Sequence, residues 1–122
     1  MDKWTLALET FLKDWKDRGD VVGALVCGSY ASGYPSKRSD IDIHIILADH
    51  VEGRERGNRV VSGFLIEYFG NPPAQIRKYY QEDFNRRRTM SMLQFKTGRI
   101  VFNYTGIIKN WKFEAEEWLK KI

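Results

Sequence analysis

Apolar and polar positions alternate along this chain at two periods, and the period changes several times. Trp4, Leu8, Phe11, Leu12 and Trp15 recur at helical spacing, with Glu9, Lys13, Asp14 and Lys16 on the opposite side. That stripe predicts an amphipathic helix, with Asp2 as its N-cap and Gly19 as its stop. Val21 to Cys27 is a nearly unbroken apolar run rich in valine, the pattern of an inner strand covered on both faces. Gly28 ends it, Ser29 to Gly33 suits a short helix closed by Tyr34-Pro35, and Ser36 to Ser39 is a polar loop carrying Lys37 and Arg38. A second strand follows from Asp40 to Leu47, then a polar connection from Ala48 to Asn58. Arg59 to Val61, Ser62-Gly63 and Phe64 to Phe69 read as a hairpin. In its second arm Leu65, Glu67 and Phe69 share one face and Phe64, Ile66 and Tyr68 the other. Asn71-Pro72-Pro73 signals a helix start, with Asn71 as cap. The stripe of Ile76, Tyr79, Tyr80 and Phe84 is interrupted at Arg86-Arg87-Arg88 and resumes through Met90, Leu93 and Phe95 to Gly98. Arg99 to Asn103 forms a short strand, and Trp111, Ala115, Trp118, Leu119 and Ile122 mark a final helix running to the last residue. Strands and helices interleaved in this way predict one α/β (α+β) domain over residues 1–122.

Two positions in that pattern carry charge where burial is expected. Asp40 and Asp42 stand two apart at the start of a strand, so their side chains share a face. Adjacent anions repel and are costly to bury unless a cation lies between them. Upstream, Gly28-Ser29 at a strand-to-helix junction offers backbone N–H groups and a hydroxyl to a phosphate. A phosphate cradle facing a carboxylate pair is equipment for phosphoryl or nucleotidyl transfer. Glu67, set within Phe-Leu-Ile-Glu-Tyr-Phe, is either an exposed edge-strand carboxylate or a third member of the cluster, if its strand lies beside that of Asp40. His44 shares the face of Asp42 and reads as a core histidine, with a hydrogen-bonding role beneath the carboxylates as the alternative. His50 reads as exposed. Arg86 to Arg88 with Lys78, Tyr79 and Tyr80 form either a solvated helix face or a nucleic-acid or acceptor patch, the former favoured. The four tryptophans read as core or interface.

Bulk properties narrow the picture little. The 20 Lys and Arg against 16 acidic residues leave a net charge of +4, compatible with an anionic partner. Cys27, the single cysteine, excludes an internal disulfide and suits a reducing compartment. No segment is long and apolar enough for a membrane span, and Met1-Asp2-Lys3-Trp4 lacks a signal-peptide core, so the expected location is cytoplasmic.

With those residues placed, the chain resembles the nucleotidyltransferase superfamily whose best-known member is DNA polymerase β. Cys27-Gly28-Ser29, ten intervening residues and Asp40-Ile41-Asp42-Ile43 carry the resemblance, and Glu67 matches the third acidic residue by type and placement. Thr97 to Phe102, followed by Thr105-Gly106, is similar to a segment of small bacterial members of the aminoglycoside and minimal types. The resemblance implies a mixed sheet flanked by helices, two Mg²⁺ ions and a nucleoside triphosphate, with ATP expected. It implies Asp40, Asp42 and Glu67 as metal ligands and catalytic residues, and Gly28, Ser29, Lys37 and Arg38 as nucleotide-binding residues. The expected reaction moves a nucleoside monophosphate to the hydroxyl of an unidentified acceptor. Two rivals belong to other classes: an antitoxin-like protein that binds or nucleotidylates a helical toxin chain, and a catalytically silent nucleotide-binding module. The bulky apolar residues of the last helix suggest a domain boundary there, covered by an additional C-terminal domain, a homodimer or a helical partner. A pure nucleic-acid binder is not favoured.

Overall fold

A computed structural model of the chain describes residues 2–33 and 40–122. Lys37 and Arg38, with the loop that carries them and the Tyr34-Pro35 helix stop, lie outside the described residues. The elements run α1 (Lys3–Lys16), β1 (Val21–Cys27), α2 (Ser29–Ser32), β2 (Ile41–Leu47), β3 (Glu55–Val61) and β4 (Phe64–Asn71), then α3 (Pro73–Asn85), α4 (Met90–Thr97), β5 (Arg99–Asn103) and α5 (Ile107–Lys120). The strands form one sheet in the order β3-β4-β2-β1-β5. Only β2 and β4 pair in parallel, and the other neighbours are antiparallel. This is the mixed, helix-flanked α+β sheet that the resemblance implies.

Each face of the sheet is closed by its own helices, because side chains of a strand alternate between faces. Ile41, Ile43, Ile45 and Leu47 of β2 pack with Ala24 and Val26 against Leu8, Phe11 and Leu12 of α1. On the other face Ile46, Leu25 and Cys27 meet Ile76 and Tyr80 of α3, Met92 and Phe95 of α4, and Ile108 and Trp111 of α5. Trp111 is fully buried, while Trp4 and Trp15 pack at the margin of the first core and Trp118 at that of the second. β1 and β2 occupy the middle of the sheet, as their unbroken apolar runs require.

Several boundaries differ from those read in the sequence, among them the start of β2 at Ile41 rather than Asp40 and the end of α1 at Lys16, with Asp17 and not Gly19 in the cap position. β3 starts at Glu55 rather than Arg59, since Glu55 already pairs with Gly70. An edge strand exposed on both faces has no apolar alternation to reveal it. Asn71 is the last residue of β4, opposite Ile46, and Pro72 takes the cap position of α3. α5 begins at Ile107, a turn earlier than Trp111, and ends at Lys120. The hairpin itself is as expected, with Ser62 and Gly63 both at positive φ, as a two-residue turn between twisted strands demands.

Candidate active site

Register sets two of the three carboxylates opposite each other. The parallel pairing of β2 and β4 sets Asp42 opposite Glu67, and the antiparallel pairing of β1 and β2 sets Cys27 opposite Asp42. Asp40 lies just before β2, half-buried. Burial pushes the Asp42 carboxyl above the usual carboxylate range, and the negative charges of Glu67 and then Asp40 push it further. None of the three forms an ion pair among the described residues.

Gly28 closes the site on the β1 flank. Its φ of 72° and ψ of −153° fall where side chains are strongly disfavoured. A Cβ there would lie 2.9 Å from Asp42 Oδ2, so the backbone of Gly28 passes directly over that carboxylate. Ser29 then opens the single turn of α2, with Gly33 N donating to Ser29 O at 3.1 Å.

The three carboxylates offer hard oxygen donors and have no ion-pair partner among the described residues, which in chemistry suits a divalent cation such as Mg²⁺. In spacing it is open: among the described residues no three His, Cys, Asp or Glu side chains are gathered closely enough to hold an ion.

His44 sits one row deeper on the face of Asp42, as a core histidine. Nε2–H donates to Gln94 Oε1 at 3.1 Å, its ring stacks on Phe69 at 5.4 Å, and burial lowers its pKa to about 4. Its Nδ1 is buried with no partner among the described residues. His50 is exposed, as expected.

Helix α4 stands over this face and divides the space around it into two clefts that share Met90 and Gln94. One, of about 390 Å³, lies toward β4 and β3 and reaches His44, Phe69, Arg54 and Arg56. The other faces Gly28 and is lined by Arg87, Arg88 and Leu93. Of the arginine run, Arg87 and Arg88 therefore border a cleft beside the glycine corner, and all three arginines are exposed. The sequence reading missed Gln94, Arg54 and Arg56. A glutamine between Leu93 and Phe95 is the one signal that pointed to the first, and two arginines in a polar stretch pointed to nothing.

The chain matches the nucleotidyltransferase domain family over residues 8–116, and it belongs to that family. Among solved structures it is similar to a nucleotidyltransferase-like protein from Exiguobacterium sibiricum 255-15, with a TM-score of 0.69 and 10% identity. The likeness covers 93% of this chain but 38% of that one, and at such identity it speaks to the fold. No curated protein matches the chain. Among the described residues no helix is long and apolar enough to cross a membrane.

Proposed function

We propose that this chain transfers a nucleoside monophosphate from a nucleoside triphosphate, ATP being the expected donor, to an acceptor hydroxyl in a magnesium-dependent reaction. The observation that carries the reading is the in-register pairing of Asp42 with Glu67 beneath the Cβ-less corner at Gly28. Asp40, Asp42 and Glu67 are the residues that would hold two Mg²⁺ ions. Once held there, such ions would supply Lewis-acid activation of the entering and leaving oxygens of an in-line displacement.

The chain's own groups do the rest. Gly28, having no side chain, leaves room for phosphate oxygens beside Asp42, and the Ser29 hydroxyl and the neighbouring backbone amides are suited to bind them. Lys37 and Arg38 are proposed to screen the triphosphate. The acceptor oxygen forms a bond to the α-phosphorus as the bond to pyrophosphate breaks, and Glu67, on the β4 flank, is proposed to take the hydroxyl proton through an oxygen that a metal does not occupy. His44, held neutral by burial, supports the floor and transfers no proton in this scheme.

A thermal-shift series with ATP, GTP, CTP and UTP, each with and without Mg²⁺, tests the reading on wild type and Asp42→Ala. Magnesium-dependent stabilisation by a nucleotide, lost in the variant, is expected. Identical increments in every well would remove the proposal.

A further inference from the structure

Side chains on the carboxylate face come in cross-strand rows: Asp42 with Glu67, then His44 with Phe69, then Ile46 with Asn71. The cleft of about 390 Å³ includes His44, Phe69 and Asn71 in its lining. Its floor therefore begins one row, about 7 Å, from the carboxylates. Gly28 lies on the other flank, because β2 has β1 on one side and β4 on the other. In-line displacement places the attacking and leaving oxygens on opposite sides of the phosphorus. With the triphosphate seated at Gly28, the attacking hydroxyl must arrive from the β4 flank, where this cleft opens. We infer that the cleft is the acceptor site, and that its occupant is a small hydroxylated molecule with a flat ring and an anionic group. The inference rests on the transferase reading above.

The chemistry of the walls sets the class. Small-molecule sites run from about 300 to 1,000 Å³, so this cleft takes one or two rings and not a polymer. The floor is aromatic: the ring of His44 stacks on Phe69, and the guanidinium of Arg56 lies 5.1 Å from the centroid of Phe69. Arg54 is drawn across the rim by its bond to the Tyr79 hydroxyl at 2.8 Å, which in turn donates to Asn71 Oδ1 at 3.3 Å. Neither arginine forms an ion pair among the described residues. The carboxylate in the lining, Asp83, already accepts from Ser91 N at 2.9 Å and Ser91 Oγ at 2.6 Å through one oxygen. Two guanidiniums without an ion-pair partner among the described residues, against one engaged carboxylate, attract an anion and repel a polycationic acceptor.

Amide NMR titration of the 122-residue chain with 4-hydroxybenzoate, 4-hydroxybenzamide and 4-hydroxybenzamidine varies charge on a constant hydroxylated ring. The benzoate is expected to shift the amides of Arg56, Phe69 and Gln94 and to bind about fivefold tighter than the amidine. In Arg54→Gln/Arg56→Gln that preference should fall to near unity, and α,β-methylene-ATP with Mg²⁺ should bind alongside the benzoate. Preference for the amidine, or no cleft shift with any ring, overturns the inference. So does displacement of the benzoate by the nucleotide analogue, which would make the cleft the seat of the base. Shifts at Gly28 and Asp42 with the analogue report the transferase reading separately. If they occur without cleft binding, only the acceptor assignment falls, whereas their absence removes the transferase reading and the acceptor role with it.

Discussion

Gly28→Ala is the change that most directly probes how the backbone shapes this site. At φ 72° and ψ −153° a residue with a Cβ is strained by about 1–3 kcal/mol. The new methyl would also stand 2.9 Å from Asp42 Oδ2, well inside the roughly 3.5–4.0 Å of an ordinary contact, so the carboxyl must rotate within a half-buried corner. Together these effects amount to about 2–4 kcal/mol. At roughly 3–5 °C per kcal/mol for a chain of this length, the expected fall in Tm is about 6–20 °C. Gly63→Ala is the control. Its φ of 84° is also left-handed, but no atom lies within 4 Å of the added Cβ, so it carries the backbone cost alone, about 1–2 kcal/mol. Melting of both variants by circular dichroism decides the matter. Should Gly28→Ala melt within about 2 °C of Gly63→Ala, the contact with Asp42 contributes nothing and the geometric argument for the corner fails.

Two further outcomes follow from the same contacts. Asp42→Asn removes a charge that burial and its neighbours Glu67 and Asp40 all oppose. In chelator-containing buffer the variant should be more stable than wild type by roughly 0.2–1 kcal/mol in urea unfolding, with Mg²⁺ narrowing the gap; a less stable variant would contradict the reading. Lys112 donates to Phe95 O at 2.9 Å, Lys96 O at 3.0 Å and Gly98 O at 2.6 Å, capping the end of α4. Lys112→Met should cost about 2 kcal/mol and speed amide exchange across α4, and unchanged exchange there would show that the cap is dispensable.

The legible part of this fold is the part written by burial. β1 and β2 announce themselves because both their faces meet apolar neighbours, and α1 because its one buried stripe has a helical period. β3 did not, because Glu55 to Asn58 face solvent or the partly covered edge and no alternation survives. The carboxylates at 40 and 42 were visible from spacing alone. That Glu67 stands opposite Asp42 depended on which strand pairs with β2, and a parallel pairing through an intervening hairpin leaves no local mark. Asn71 misled because an Asn before two prolines is a good cap by composition, yet its backbone is held in the ladder beside Ile46. Gln94, Arg54 and Arg56 act through contacts far along the chain, with His44, Tyr79 and Phe69, which no window of sequence contains.

Helix α4 shows how position can be set without an apolar stripe. Its buried side chains are Ser91, Met92 and Phe95, while Met90 and Leu93 remain exposed on its flanks and line the two clefts. Apolar burial is non-directional, so a short helix with apolar groups on several sides could settle in more than one orientation. Directional bonds fix it instead. Asp83 holds the start through Ser91, Lys112 holds the end, and between them Gln94 bonds His44 through its side chain while its carbonyl accepts from Cys27 Sγ at 3.5 Å. Each of these anchors comes from a different element: α3, α5, β2 and β1. Because the two clefts share Met90 and Gln94, a rotation of α4 that widened one would narrow the other. The residues that hold this helix therefore fix the wall that the two clefts share, although Lys112 lines neither.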